Sequence, residues 1–438
     1  MNLPMKSLTL SVAVAVALMA CGKKDETPAT AKEMVIKIGH AAPLTGPQSH
    51  LGKDNENGAR LAIEEANAKG LEIGGAKVRF ELVSEDDQAD PKQGTLVAQK
   101  LVDSKVNGVI GHLNSGTTIP ASRIYAEAGV PEISPSATNP KYTQQGFKTA
   151  FRVMANDVQQ GRVLGAYAVD KLKARTIAII DDRTAYGQGL ADEFEKAAKA
   201  AGATIAAREF TNDKATDFAA ILTKVKSKTP DLVFYGGMDA QGGPLAKQLK
   251  GLGMKQPVLM GDGGCTTEFS KLASDAAEGN YCSLPGVPLD KMPGGPEFKA
   301  KYKAKYKADI QLYGPYVYDA VNVMIDAMKR ANSADPLKYL PELPKTAYQG
   351  VTSKISFDAK GDLQDGAITV YQSRGGKWEP METIGGGDKA AAEAAVKDAA
   401  AGLEKAASTG AGKLAGDAQS IVQGAAKTVE DAAVAQRK

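Results

Sequence analysis

The residues with the clearest chemical potential lie in a small, polar turn at 111–120, which contains Ser115. The apolar run 106–110 predicts a strand before the turn, and residues 119–128 predict a helix after it. Pro120 suits the first turn of such a helix, where its missing N–H is not needed. Free backbone N–H groups and the positive end of a helix dipole would then face a carboxylate or a phosphate. A capped strand-to-helix turn without a ligand is the alternative interpretation.

Polar turns also follow the other predicted strands of the chain. Strands alternate with helices in two successive runs, which indicates an α/β protein of two lobes, each a doubly wound parallel sheet with helices on both faces. Ligands bind such sheets at the carboxyl ends of the strands. The turns that could line one cleft there follow Gly111, Ser134, Asp181, Gly236 and Gly261.

Length and charge limit the classes of function. A chain of 438 residues is too long for one ordinary core. The net charge of +3 is small and the basic residues are scattered, which argues against a nucleic-acid partner. His40, His50 and His112 form no spaced cluster, and the cysteines lack the neighbours of a metal site. We therefore expect neither a metal nor a cofactor.

The N-terminus has the pattern of an export signal over residues 1–20. Its apolar part, 7–19, has the length of a signal-peptide core and is too short for a settled membrane span. The last residues before Cys21, Leu-Met-Ala, resemble a bacterial lipobox, so we expect a lipid on Cys21 and a polar tether over 21–33. Such a protein would be exported and anchored to a membrane on its periplasmic or cell-surface side. A plain secretory signal with an incidental cysteine is the alternative.

Cys265 and Cys282 are the two remaining cysteines. Export would place them in an oxidising compartment, which favours a disulfide between them. Two separate buried thiols are the alternative.

The C-terminal segment 385–438 differs in composition from the rest of the chain. It is rich in Ala, Lys, Asp, Glu and Gly, and its large apolar residues are too sparse for a stable core. It predicts a loosely helical, solvated tail, or else a weak coiled coil or a surface-adsorbing helix pair.

Several short motifs together resemble the leucine/isoleucine/valine-binding proteins of bacterial ABC importers. The resemblance covers roughly residues 34–380, and its specificity lies in the order and spacing of the motifs. They are 38–39 (Ile-Gly), 43–47 (Pro-Leu-Thr-Gly-Pro), 57–62 (Asn-Gly-Ala-Arg-Leu-Ala), 86–87 (Asp-Asp), 90–93 (Asp-Pro-Lys-Gln), 111–115 (Gly-His-Leu-x-Ser), 186–189 (Tyr-Gly-Gln-Gly), 235–237 (Tyr-Gly-Gly) and 357–362 (Phe-Asp-x-Lys-Gly-Asp).

The resemblance implies a type I periplasmic binding protein without catalytic activity. Two hinged lobes, joined by three crossovers, would close over an amino acid and deliver it to a membrane permease. By resemblance, the first lobe comprises 34–154 and 284–368, and the second comprises 155–283 and 369–384. The protein would be a monomer.

The family's ligand contacts fall on matching positions of this chain. Ser115, with Gly116 beside it, would bind the ligand carboxylate. The contacts of the next polar turn fall on Ser136, Ala137 and Thr138, and the cleft tyrosine of the second lobe falls on Tyr186.

Other positions depart from the family pattern. Leu51 stands where an aromatic residue lines the side-chain pocket, and Met238 stands where the family has a tyrosine. The acidic residue that holds the ligand ammonium falls on Gly263, so Asp262 is the expected substitute. Tyr313 matches an aromatic position. The family's disulfide positions fall on Ala89 and Asn114, so that bridge is absent here. These departures leave the preferred side chain open.

Three other functions are alternatives to transport. A nucleotide-dependent enzyme would need Gly-x-Gly-x-x-Gly, but Asp192 follows Gly187-x-Gly189 where the third glycine belongs. A ligand sensor of related fold would usually be fused to a membrane span and an effector domain. The same fold could also bind an amide, urea or an aromatic acid, which Leu51 and Met238 leave open.

Overall fold

A computed structural model describes residues 33–386. The predicted signal peptide, the lipid attachment at Cys21 and nearly all of the predicted tether and tail lie outside these residues. Within residues 33–386, no helix combines the length and the apolarity needed to cross a bilayer.

The first half of the described chain builds a six-stranded sheet with helices on both sides. The strand order is β2-β3-β1-β4-β5-β6, and all neighbours are parallel except β2 and β3. The elements are β1 Met34–Ala42, α1 Ser49–Ala68, β2 Glu72–Ile73, β3 Ala76–Asp86, α2 Pro91–Asp103, β4 Gly108–Gly111, α3 Ser115–Glu127, β5 Glu132–Ser134, α4 Lys141–Gln144 and β6 Ala150–Arg152.

A second α/β unit follows. Its elements are α5 Asp157–Asp170, β7 Thr176–Asp181, α6 Ala185–Ala200, β8 Thr204–Phe210, α7 Ala219–Ser227, β9 Leu232–Gly236, α8 Asp239–Gly251, β10 Val258–Met260, α9 Thr267–Ala273 and β11 Tyr281–Pro285. The chain then returns to the first sheet, where α11 packs against α1. The returning elements are α10 Gly295–Tyr306, α11 Gly314–Arg330, α12 Pro336–Tyr339, β12 Tyr348–Gln349 and β13 Lys354–Ile355.

Two antiparallel strands, β14 Ala367–Arg374 and β15 Lys377–Gly385, complete the second sheet. Its strand order is β15-β14-β11-β10-β9-β7-β8. We call the six-stranded sheet with its helices the first lobe, and the seven-stranded sheet with its helices the second lobe. The chain crosses between the lobes after β6, after β11 and after β13. The predicted two-lobed α/β fold with three crossovers is thus confirmed.

The crossing strands run slightly further than the boundaries drawn from the sequence. In β11, Leu284 and Pro285 still pair with Thr369 and Ile368 of β14, so all four residues lie in the second sheet. Edge strand β15, which contains Pro380, was not predicted. That proline pairs with Tyr371 at a register shift, where a missing N–H is tolerated.

A buried ion pair fastens the end of the first lobe's sheet. Arg152, at the end of β6, is fully buried, and its Nη2 lies 2.6 Å from Oδ1 of Asp362. Its Nη1 also donates to the carbonyls of Ala137 and Asn139, at 2.6 and 3.0 Å. Arg152 therefore holds the polar turn after β5 in place.

Replacing Arg152 by Met should lower the free energy of unfolding by about 3 kcal/mol, because Asp362 would stay buried without its cationic partner and the Ala137 carbonyl would stay buried without its donor. Urea denaturation of the two proteins measures the difference. As a control, Arg123→Met removes an exposed pair with Glu127 on α3 and should change stability by about 0.5 kcal/mol or less. Equal effects of both changes would contradict the role of Arg152.

Candidate functional site

The polar turn that follows β4 differs from its prediction. Helix α3 begins at Ser115 rather than at 119, because the N–H groups of Thr117 and Thr118 both donate to the carbonyl of Asn114, at 3.1 and 2.9 Å. Pro120 is therefore inside the helix, and its placement in the first turn was wrong. The helix nevertheless has free N–H groups at its N-terminus, as expected. As the first two helical residues, Ser115 and Gly116 have N–H groups without a carbonyl partner in the helix, and these face outward at the positive end of the helix.

A buried hydrogen-bond network holds this turn in place. His112 Nδ1 lies 2.8 Å from Oδ2 of Asp87, and its Nε2 lies 2.9 Å from the Tyr125 hydroxyl. The His112 carbonyl accepts from the hydroxyls of Thr118 and Ser134. All five side chains are buried, so the turn is fixed before any ligand arrives.

A small cavity lies between the lobes, at the carboxyl ends of both sets of strands. The first lobe contributes Leu113, Asn114, Ser115, Ser136 and Tyr313, and the second contributes Tyr186, Met238 and Asp262. The structure therefore brings six of the residues singled out in the sequence to one cavity. They are Ser115, Ser136, Tyr186, Met238, Asp262 and Tyr313.

Asp262 is the anionic group of this cavity. It is 1% exposed, and its Oδ1 accepts from Gln160 Nε2 and from the Tyr186 hydroxyl, both at 2.9 Å. Its Oδ2 accepts from the Tyr313 hydroxyl at 2.6 Å. Burial raises the pKa of Asp262, and the hydrogen bonds from Tyr313, Gln160 and Tyr186 oppose that rise. Such donors favour the carboxylate, and a cation between the lobes would favour it further.

Local packing explains why the acidic residue sits at 262 and not at 263. A Cβ atom on Gly263 would lie 2.6 Å from the Met238 sulfur and 3.0 Å from Cε1 of Tyr186. No acidic side chain fits there without moving both neighbours. The shift of the carboxylate by one residue is therefore a consequence of how Met238 and Tyr186 fill the cleft.

A disulfide holds the loop that carries Asp262. Cys265 and Cys282 are bonded, with their Cα atoms 5.4 Å apart. The bond joins this loop to β11, where the Ser283 hydroxyl donates to Oε1 of Gln160 at 2.6 Å. Gln160 in turn donates to Asp262. The disulfide and the Gln160 amide therefore both help to position the Asp262 carboxylate.

Four of the predicted contact residues do not line the cavity. Leu51 is fully buried in the core of the first lobe, because its position on α1 faces inward. The Ala137 carbonyl is taken by Arg152. Thr138 is fully buried, and its hydroxyl has no partner within the described residues. Gly116 lies next to the lining but not in it.

Sequence reasoning missed several residues at the site. Leu113 and Asn114 line the cavity and stand in the turn already singled out, so their position was a usable signal. Gln160 had no signal, because it reaches Asp262 from 102 residues away. Asp157 also went unnoticed. Burial, and then the charge of Asp262, raise its pKa to about 8.

Contacts across the cleft join the two lobes. His50 on α1 lies 2.7 Å from Oδ2 of Asp239 on α8, and the Asn139 amide donates to the Ala185 carbonyl at 2.6 Å. The bond from Tyr313 to Asp262 also crosses the cleft. Burial alone would lower the pKa of His50, but the hydrogen bond and the charge of Asp239 outweigh it and raise that pKa. The lobes are closed on each other.

Comparisons with known proteins place the chain. A family model described as periplasmic binding protein matches residues 35–377. The Leu/Ile/Val-binding protein homolog 1 of Brucella abortus (strain 2308) is 38% identical over 345 residues, 78% of this chain and 90% of that protein. The leucine-, isoleucine-, valine-, threonine-, and alanine-binding protein of Pseudomonas aeruginosa is 36% identical over 337 residues, 77% of this chain and 89% of that protein. The chain belongs to the periplasmic binding protein family.

Solved structures agree with this assignment. The leucine binding protein LivK of Thermotoga maritima has a TM-score of 0.74 and 28% identity, covering 80% of this chain and 98% of its own. The branched-chain amino acid transporter substrate binding protein LivJ of Streptococcus pneumoniae, in complex with isoleucine, has a TM-score of 0.73 and 30% identity, covering 80% of this chain and 100% of its own. The resemblance drawn from the sequence motifs is confirmed.

Proposed function

We propose that this protein is the extracytoplasmic binding protein of an ABC importer and captures an aliphatic amino acid, of the branched-chain kind, between its lobes. One observation supports this most directly. The N-terminus of α3 at Ser115 and the carboxylate of Asp262 face one small cavity from opposite lobes. A hydrogen-bond donor at one end and an anion at the other match the two charges of an amino-acid zwitterion.

The carboxylate of the ligand would accept from the first lobe. The Ser115 oxygen accepts from the Asn139 N–H at 3.2 Å, so its own O–H can donate into the cavity. The N–H groups of Ser115 and Gly116 add the field of the helix end. The ammonium group would lie by Asp262 and the ring of Tyr186. Met238 and Leu113 would contact the side chain.

Closure explains both affinity and selectivity in this proposal. Because water leaves the cavity, charge interactions inside it strengthen. A ligand without either charge would leave a buried group unpaired, which costs several kcal/mol. The protein would bind its ligand without changing it and hand it to a membrane permease. We also propose that it works as a monomer.

Asp262→Asn should weaken amino-acid binding about a hundredfold, because it removes the charge opposite the ammonium, roughly 3 kcal/mol for a buried charge pair. Calorimetric titration of the mature chain with leucine, isoleucine and valine measures this, after a thermal-shift survey of common amino acids.

The control variant is Asp192→Asn, which removes an exposed carboxylate on α6 that pairs with Arg208. It should bind as the wild type does. Near-normal affinity of Asp262→Asn would remove that residue from the site. A melting temperature raised by an amide or urea, and by no amino acid, would show that the ligand class is wrong.

Ligand affinity should also depend on pH through His50. The groups that face it are Asp239, the charge of Glu268 and the carbonyl of Pro47, all of which favour the imidazolium in the closed state. A raised pKa in the closed state means that protonation stabilises closure. Affinity should therefore be highest below the ordinary pKa of 6.5 and fall as pH rises through the raised value. For a pair in which only the His50 side chain is partly exposed, we expect a change of about threefold.

The comparison is between the wild type and His50→Gln, which keeps an N–H donor toward Asp239 but cannot titrate. Burial raises the pKa of Asp157 to about 8, so the wild-type profile alone does not isolate His50 and only the difference between the two pH profiles reports on it. Superimposable profiles would exclude a role for His50 in closure.

The lipid anchor is part of the proposal, since Cys21 lies outside the described residues. Expression of the full chain with a labelled fatty acid should give a labelled protein, and Cys21→Ser should abolish the label. Cys282→Ser serves as the cysteine control. A label that persists in Cys21→Ser would refute the anchor.

A further inference from the structure

A second groove between the lobes, of about 300 Å³, is lined mostly by apolar side chains. Ile310 and Leu312 line it from the first lobe, Leu284 and Trp378 from the second lobe, and Val287 from the crossover after β11. We call it the hinge groove. All of these side chains except Leu312 are only partly buried, so apolar surface remains open to solvent. Contiguous surface of this kind is typical of an interaction site.

Most polar side chains that line the hinge groove already have partners. Trp378 Nε1 donates to the Thr266 carbonyl at 2.9 Å, and the Asp290 carboxylate accepts from Lys299 at 2.9 Å. The Tyr316 hydroxyl donates to a carbonyl of β11. The groove therefore offers apolar contact, which suits an apolar segment better than a charged ligand.

The described chain ends beside this groove. Gly385 of β15 pairs with Ala367, whose carbonyl accepts from the Gly286 N–H at 2.7 Å. A Cβ atom on Gly366 would lie 2.8 Å from that of Ala155. The chain thus leaves the second lobe where all three crossovers meet, and the two neighbours of Gly286 both line the hinge groove.

Residues 387–438 continue from this point and lie outside the described residues. Val396 and Leu403 are the first large apolar residues of this segment, and a helix would carry both on one face. The residues between Gly386 and Val396 can span up to about 30 Å when extended, so the groove is within reach. Apolar residues further along would close a longer loop, at a higher cost in entropy.

We propose that the C-terminal segment of this chain docks in the hinge groove through Val396 and Leu403 and stabilises the closed lobes. The groove is lined by both lobes, so a segment bound in it favours the arrangement in which they meet. Tyr313 connects the groove to the ligand site, because it lines both cavities and its hydroxyl donates to Asp262 at 2.6 Å. The segment is then a regulator of closure carried by the chain itself.

The test is a variant of the full chain that combines Val396→Asp and Leu403→Asp, since a charged side chain is costly in an apolar groove. Trp378 is the only tryptophan of the chain, so its fluorescence reports on the hinge groove. Its emission should move to longer wavelength, because water then reaches the indole. The dissociation constant for leucine should rise about fivefold, the low end of coupling between two sites.

The control variant combines Val422→Asp and Val429→Asp, which have the same spacing in the same segment. Its emission and its affinity for leucine should equal those of the wild type. A photo-crosslinking amino acid in place of Val396 gives an independent measurement. Its crosslinks, mapped by mass spectrometry, should lie within one molecule and fall on residues 284–292, 310–316 or 371–380.

The fluorescence and the crosslinks need no ligand, so they test this inference even if the proposed function is wrong. Unchanged emission in the Val396→Asp and Leu403→Asp variant, or crosslinks outside the groove, overturns the inference. Crosslinks that join two molecules also overturn it, because a second copy is then the occupant. Shifted emission with unchanged affinity for leucine overturns the effect on closure.

Discussion

Everything at the cleft depends on one constraint, the burial of a carboxylate between two lobes that can separate. Asp262 is almost fully enclosed, so its charge must be matched by donors and by a cation. Gln160, Tyr186 and Tyr313 supply the donors, and they come from both lobes. All three donors reach Asp262 only when the lobes meet. The carboxylate that would bind an ammonium group therefore also stabilises the closed state.

The supporting structure follows from this constraint. The disulfide and Gln160 fix the loop of Asp262 within the second lobe, while the Asp87–His112–Tyr125 network and Arg152 fix the two turns of the first lobe. Rigid halves that move as units can align the helix end at Ser115 with Asp262 each time they close. If these turns were flexible, ordering them on binding would weaken the affinity for the ligand.

The sequence predicted the fold well because strand–helix alternation and motif spacing are local or ordered along the chain. It also located six cavity residues, although it placed Pro120 in the wrong turn of α3. Leu51 was assigned by alignment alone, and its burial in the core depends on the rotation of α1, which no motif encodes. Gln160 and the cross-cleft pair of His50 and Asp239 could not be predicted, since their contacts span 102 and 189 residues.

Different residues of the cavity would recognise the charged groups of the ligand and contact its side chain. The residues that would recognise the zwitterion are Ser115, at the N-terminus of α3, and Asp262, on the loop held by the disulfide. The surrounding backbone fixes the position of both. Met238, which would contact the ligand side chain, occupies a position where this chain departs from the family pattern. Selectivity can therefore shift among related chains at this position, while the helix end at Ser115 and the carboxylate of Asp262 stay in place.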